Sequence, residues 1–528
     1  MAVVPGGPRS GPAAGAHFFC TAGRGLEPFL MREVRERLAA TQVEYISGKV
    51  FFTTCSDLNM LKQLKSAERL FLLIKKQLPF PVSSVNKGKI FNELQRLIND
   101  DPESWLNAIS IWKNFLELDA EKEKLSHKNA NPLKRKVGED DISAKKLKTE
   151  QIQEIQETKE CQLEKQIEEK ILEQGNFITE GEKFQEELQN DITEAADTRN
   201  QSNLTFRVSC RCSGAIAKII TAQEVGRVIG IALMKQFGWK ADLRNPNLEI
   251  FIHLSDIYSV LGIPVFRVPL ACRAYIKTPG LRSTIAWAVA SLAEIKAGAV
   301  VLDPMCGLGT ILLEAAKEWP DAYYVGADVS DSQLSGAYDN LRAAGLKDKI
   351  ELLKVSVIDE RSKAIISRSR TAELPLPSES VDIIISDIPF GKKFKLGKDI
   401  KRTVQEMERV LRVGGTIVLL LSEDHHRHLK GGEASSGPVD SQGGRTEEPG
   451  GEERWTGAEE AAVSEPASSS SAASSQERLD RMPPLGSLVP VDCYRVSLGK
   501  TDALISKYKK SYSPGDSRLA ASESLHVS

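Results

Sequence analysis

The chain has 528 residues, a formal net charge of −2 at pH 7, 27 % charged residues and 41 % hydrophobic residues. At ~150 residues per domain this is about three domains, and a near-neutral balance excludes an overall basic coat, leaving nucleic-acid affinity to local patches. No apolar run approaches a membrane span, and the amino terminus lacks the apolar core of a signal peptide. The eight cysteines contain no C-x-x-C pair, which points away from a zinc site or a disulfide framework and toward a reducing compartment.

Residues 1–16 are rich in Gly, Pro and Ala and are expected to be disordered. From His17 the pattern tightens. HFFCTA reads as a strand, and Leu26, Phe29, Leu30, Val34 and Leu38 fall at helical spacing. Two strand halves flank Gly48, a helix is expected from Asp57 to Leu64, and SAERLFLLIKKQLPF closes as a strand. Alternating β and α in so short a stretch predicts a small α+β domain over 17–118, with PESWLNAISIWKNFLEL as a helix at its end. Residues 119–200 turn to Glu, Lys and Gln and are expected to be a charged, partly helical linker. Within it, Lys134-Arg135-Lys136 and Lys145-Lys146-Leu147-Lys148 have the spacing of a bipartite nuclear import signal, the plain alternative being a solvated charge run.

Order is expected to resume near Leu204. TFRVSCRCSG is strand-like, TAQEVGRVIGIALMKQFGWKA is a helix opened by a Thr221/Glu224 capping box, and two strands follow around Ser255 and Asp256. Arg207, Arg211, Lys218, Arg227, Lys235, Lys240 and Arg244 are spread along this module. Basic residues with few strand aromatics suit phosphate contacts more than base stacking, and ordinary surface charge is the alternative.

The most informative stretch is AVVLDPMCGLGTILLEAA (Ala299–Ala316): a short apolar strand, a glycine turn, and a helix opened by Thr310. Such a βα unit binds nucleotide-like ligands at the carboxyl end of its strand. It lacks the Gly-Lys-Ser/Thr of a P-loop, and Asp303 at the strand end repels phosphate but suits a cationic or hydroxyl-bearing ligand. Pro304, Cys306, Gly307, Gly309 and Thr310 line the same turn. The next strand, AYYVGAD, ends at Asp328, where a ribose-diol acceptor is expected about 20 residues past a glycine turn. A third buried strand, Val381–Ser386, runs into Asp387-Ile388-Pro389-Phe390.

The 206–265 module resembles a THUMP domain, and 17–76 resembles the ferredoxin-like domain that precedes it in RNA-modification enzymes. KTPGLRSTIAWAVASLA with VVLDPMCGLGTILLEAA resembles the linker and first motif of THUMP-containing, S-adenosylmethionine-dependent RNA methyltransferases. Asp387-Ile388-Pro389-Phe390 resembles the D/N-P-P-aromatic signature of enzymes that methylate ring-conjugated nitrogen. The resemblance implies an α/β architecture: a Rossmann-like class I methyltransferase domain over 269–512, preceded by ferredoxin-like and THUMP (201–268) domains. It implies guanosine-N2 methylation in tRNA or small nuclear RNA, with S-adenosylmethionine as cofactor and a small zinc-binding activator subunit as partner. Asp387 and the Ile388 carbonyl would hold the amine's two N–H groups, and Phe390 would stack on the base.

The sequence departs from the family pattern at the second motif position, where Ile388 replaces the commoner proline with its backbone carbonyl unchanged, and on the third strand. Ser356 stands where relatives carry an acid toward the adenine amine, and Asp359 opens a longer connection to Ala372 that could supply one. They motivate an alternative, a non-catalytic RNA-binding protein. A third reading keeps the chemistry on DNA adenine or a protein amide. His425, His426 and His428 are expected on a solvent-exposed helix end, with no metal. Residues 431–481 are expected to be a disordered insertion, a closing hairpin follows, and 513–528 a disordered tail.

Overall fold

The computed structural model describes residues 15–46, 48–79, 87–129, 204–355, 374–389, 400–430, 482, 485–499 and 501–512. They fall into two compact units, Met1–Leu73 with Pro264–Ser528, and Ile74–Ile263.

The first unit opens with β1 (Ala16–Thr21), α1 (Glu27–Leu38), β2 (Thr41–Ile46), β3 (Lys49–Thr54), α2 (Leu58–Lys62) and β4 (Arg69–Gln77). Their order, β2-β3-β1-β4 with antiparallel pairing of β1 to β3 and β4, is ferredoxin-like. The apolar run in β1 makes it central: Phe18, Phe19 and Cys20 are buried, and the Phe19 ring stacks on Phe71 with centroids 4.7 Å apart. The helix expected from Asp57 to Leu64 is shorter, with Asp57 as its N-cap accepting from the Met60 N–H.

The same unit carries α7 (Ser283–Leu292), β9 (Val300–Asp303), α8 (Thr310–Glu318), β10 (Tyr323–Asp328), α9 (Asp331–Ala344), β11 (Ile350–Lys354), β12 (Val381–Asp387), α10 (Ile400–Val410), β13 (Leu411–Ser422), α11 (Glu423–Lys430), β14 (Leu488–Ser497) and β15 (Asp502–Lys510). Its sheet runs β11-β10-β9-β12-β13-β15-β14. The first five strands are parallel, while β15 is antiparallel to both β13 and β14. This is the Rossmann-like arrangement, whose strand order reverses between β9 and β12; ligands bind at the carboxyl ends beside such a reversal. Alternation along β9 and β12 divides their side chains between two cores. Val301, Ile383 and Ile385 join one, while Leu302, Ile384 and Ile388 join the other.

Leu26 and Phe29 of the amino-terminal helix region belong to the first of these cores, with Trp287, Tyr494 and Val496. The Phe29 and Tyr494 rings lie 4.7 Å apart. Arg273, 5 % exposed, pairs with the fully buried Glu314 carboxylate and donates to the Lys65 carbonyl at 2.8 Å. Residues 16–73 are thereby packed into the same core as the carboxyl-terminal sheet.

The second unit holds α3 (Lys87–Asn99), α4 (Pro102–Asn129), β5 (Thr205–Cys212), α5 (Ile216–Ile219), α6 (Ala222–Phe237), β6 (Lys240–Ala241), β7 (Leu248–Leu254) and β8 (Ser259–Pro264). Its strands lie in the order β8-β7-β5-β6, with β5 parallel to β7 and β6, and β7 antiparallel to β8. The Thr221/Glu224 capping box forms as expected, each side chain meeting the other residue's backbone N–H. Lys87 adds a 2.7 Å ion pair to Glu224, at the junction of α3 and α6. Helix α3 is an element beyond those expected from the sequence, and Ile90, Leu94, Leu97 and Ile98 give it an apolar face. Among the described residues no helix is long and apolar enough to cross a membrane.

Candidate active site

The site lies at the carboxyl ends of β9, β10 and β12. Gly307 (φ 52°) and Gly309 (φ 75°) take left-handed backbone, which lets the turn double back from β9 into α8. Two hydrogen bonds close the turn: Gly309 N–H donates to the Cys306 carbonyl, and Cys306 N–H to the Ala327 carbonyl, both at 2.8 Å. Gly309 caps α8 without a side chain, and the buried Thr310 hydroxyl has no hydrogen-bond partner among the described residues. Pro304 and Cys306 are buried at the floor of the turn.

Three carboxylates converge here. Asp328 at the end of β10 accepts from Gly307 N–H at 2.9 Å through Oδ2, and from Ser330 N–H at 2.8 Å through Oδ1. Its head is therefore fixed by the very turn it faces. Asp303 is 1 % exposed, and its Oδ1 accepts from Ser386 Oγ–H at 2.8 Å and Met305 N–H at 3.2 Å. Burial pushes its pKa up to about 8, helped by the charges of Asp387 and Asp328 and opposed by the Ser386 and Met305 bonds. Asp387, at the end of β12, is pushed up to about 7 by burial. Its Oδ1 is buried without a hydrogen-bond partner among the described residues. A desolvated, unpaired acceptor is costly unless a donor arrives from outside the chain.

The Ile388 side chain is fully buried in one core with Leu302 and Leu419, and its N–H donates to the Leu420 carbonyl at 3.1 Å. What it offers a ligand is backbone. Pro389 follows, half-buried. Phe390, Ser356 and Asp359 lie outside the described residues, as do the basic clusters at 134–136 and 145–148 and the insertion at 431–481.

The donor set suits S-adenosylmethionine. Acids without a lysine cradle match a cation bearing a ribose, and the Asp328 carboxylate, aimed by two backbone N–H groups, matches a diol. The pair of acids at neighbouring strand ends was legible in the sequence; Ser386, Ser330 and Asn340 were not. Asn340, buried within α9, accepts from the N–H groups of Lys277 and Thr278 and donates to the carbonyls of Thr278 and Leu308. It ties the KTPG segment to the glycine turn. An asparagine on the core face of a helix was the available signal, since that residue type is a poor helix interior unless its amide is employed.

One expectation needs correction. His425 and His426 are 7 % and 9 % exposed, packed inward from α11, and only His428 is exposed. The helix packs against β13, β15 and α10, and His425 and His426 share its buried face with Leu429. No group of three or more His, Cys, Asp or Glu among the described residues is arranged to hold a metal.

In the second unit, Arg207 is engaged by Glu249 at 2.9 Å across the parallel β5–β7 pair. Arg211, Lys218, Arg227, Lys235, Lys240 and Arg244 are exposed and make no ion pair among the described residues.

Residues 271–430 match the family model described as UPF0020, an RMKL-like methyltransferase domain. The chain is 90 % identical over 98 % of its length to the full "U6 snRNA (guanine-N(2))-methyltransferase THUMPD2" of Bos taurus, and 73 % identical to all of that of Homo sapiens, again over 98 %. It is 28 % identical, over 80 % of its length and 84 % of the relative, to the "tRNA (guanine(6)-N(2))-methyltransferase THUMP3" of Bos taurus. The crystal structure of TrmN from Thermus thermophilus superposes with a TM-score of 0.53 at 18 % identity, covering 94 % of this chain and 99 % of that one. The chain belongs to the family of S-adenosylmethionine-dependent RNA (guanine-N2)-methyltransferases that includes the THUMPD2 proteins.

Proposed function

We propose that the chain methylates the exocyclic N2 of a guanosine in U6 small nuclear RNA, with Asp387 as the group that receives the amine. The RNA is inferred from the names of the relatives 90 % and 73 % identical to it; the tRNA enzyme at 28 % marks the wider substrate class. The single observation behind the residue assignment is the buried Asp387 Oδ1, without a partner among the described residues, beside two acids at adjoining strand ends. An exocyclic guanine amine is a weak nucleophile because its lone pair is delocalised into the ring. Asp387 Oδ1 accepts one N–H and the Ile388 carbonyl the other, turning the lone pair out of conjugation and toward the methyl group. Bound S-adenosylmethionine supplies an electrophilic methyl on a sulfonium centre, with Asp303 and Asp328 as the acids that hold it. As positive charge grows on N2, the poorly solvated Asp387 carboxylate stabilises it and is placed to take the proton. Phe390 stacks on the base in this reading, a contact worth about 1–3 kcal/mol by analogy with other base–aromatic platforms.

Arg211, Lys218, Arg227, Lys235, Lys240 and Arg244 contact phosphate, and Arg207 does so if Glu249 releases it. A small zinc-binding activator subunit forms a heterodimer with the chain, and the basic clusters at 134–148 direct it to the nucleus. A non-catalytic RNA-binding protein would have no use for a buried carboxylate oxygen left without a partner among the described residues at the third strand end. The test is Asp387→Ala: it should abolish transfer of labelled methyl to U6 RNA while leaving calorimetric S-adenosylmethionine binding within about threefold. Unchanged turnover would remove Asp387 from the reaction.

A further inference from the structure

Ser386 sits between the two halves of the site. It is the residue before Asp387 on β12, it is fully buried, and its hydroxyl donates to Asp303 Oδ1 at 2.8 Å. Every other side chain of β12 from Ile383 to Ile385 is aliphatic and buried in one of the two cores. A hydroxyl in that run is therefore not a packing choice; it has one acceptor, the cofactor-side acid. Asp303 in turn concentrates both its backbone and its side-chain donors on Oδ1. That arrangement fixes the carboxylate plane and leaves the second oxygen for a ligand.

We infer that Ser386 is a positioning residue for S-adenosylmethionine: its hydroxyl orients the Asp303 carboxylate and favours its charged form, joining the cofactor-binding strand end to the acceptor-binding one. The inference rests on the reading that Asp303 holds the cofactor. The groups that face Asp303 are Met305 N–H from the turn, Ser386 and Asp387 from β12, Asp328 from β10, and the Cys306 thiol. Two of these are carboxylates and one is a buried thiol, so Ser386 and Met305 supply the hydrogen bonds that favour the charged form. A cation binds the ionised acid, hence affinity rises with pH as Asp303 loses its proton. Removing the Ser386 donor moves that rise to higher pH.

The experiment is calorimetric titration of S-adenosylmethionine into the full chain between pH 6 and 9, for wild type, Ser386→Ala and Asp303→Asn, with kcat and KM measured alongside. Ser386→Ala should weaken binding about tenfold at pH 7, as loss of one hydrogen bond to a charged group does. Its affinity curve should lie at higher pH than wild type, and kcat at saturating cofactor should change less than about threefold. Ser386→Thr and Ser386→Val are equal in shape and differ in the hydroxyl, so comparing them separates hydrogen bonding from packing should the alanine variant fold poorly. Thr should bind more tightly than Val by a similar factor. If Ser386→Ala, or Val against Thr, leaves affinity and its pH dependence unchanged while Asp303→Asn weakens binding, the Ser386 role is overturned and Asp303 stands. If Asp303→Asn binds as wild type, the underlying reading of Asp303 is the one that fails.

Discussion

Phe29→Ala offers a severe test of the claim that residues 16–73 complete the core of the catalytic sheet. Phe29 is 2 % exposed and belongs to one buried cluster with Trp287, Tyr494 and Val496, its ring 4.7 Å from that of Tyr494. Truncating a buried phenylalanine costs about 3–5 kcal/mol, of which about 0.5–1.5 reflects loss of an aromatic pair beyond burial. At roughly 2–4 °C per kcal/mol for a domain of 150–250 residues, the midpoint should fall by about 6–20 °C. The assay is thermal unfolding of the full chain, with and without saturating S-adenosylmethionine. The cofactor-stabilised transition is the one that must move, because ligand binding raises the stability only of the unit that binds it. Phe52→Ala serves as reference: Phe52 is buried against Phe18 but lies outside that cluster. A cofactor-sensitive midpoint unmoved by Phe29→Ala would refute the shared core and make the amino-terminal residues a separate module.

Four further outcomes are expected. Arg273→Met should cost about 3–5 kcal/mol because it strands the buried Glu314 carboxylate, and adding Glu314→Leu should recover part of that loss in chemical denaturation; a double variant no better than the single would count against a charge penalty. Asp303 and Asp387, raised to about 8 and about 7 from ordinary values of 3.8, bind protons more tightly folded than unfolded. The free protein should therefore lose stability as pH rises from about 4 to 8, and Asp303→Asn should flatten that decline in urea titrations; a stability that climbs over this window and is unaltered by the variant would contradict it. Asn340→Ala should raise KM for S-adenosylmethionine more than it lowers kcat, since it frees the glycine turn from the KTPG segment; an unchanged KM would make Asn340 merely structural. Arg211→Ala and Lys218→Ala should each lower the slope of log binding constant against log salt by about one for U6 RNA, with kcat retained; slopes equal to wild type would place the RNA elsewhere.

The architecture was legible in the sequence wherever hydrophobic period and turn chemistry coincided. Val300–Leu302 and Tyr323–Ala327 are short apolar runs that lead straight into an acid, Ile383–Ile385 reaches one after Ser386, and the structure makes each a parallel strand with its acid at the carboxyl end. The capping box at Thr221 fixed the start of α6 for the same reason: two side chains and two backbone donors leave little alternative. Helix α3 went unread because its apolar residues are diluted by Lys, Asn and Gln, and its face is defined by packing against α6. His425 and His426 were placed in solvent because polar neighbours surround them in sequence, whereas β13 lies beside them in space. Ser386 and Asn340 act through partners 83 and 32 to 63 residues away, and no local pattern encodes such pairings. The same holds for Arg273 and Glu314, whose value comes from burial that only tertiary packing creates.

Incubating the full chain and the proposed activator subunit with U6 RNA and S-adenosylmethionine carrying a labelled methyl group, then digesting the RNA to nucleosides, locates the modified atom. Label is expected in N2-methylguanosine with the wild-type chain, and none with Asp387→Ala at a cofactor concentration that saturates both. Label recovered as N6-methyladenosine, or in N2-methylguanosine at an undiminished rate with Asp387→Ala, would contradict the proposed reaction.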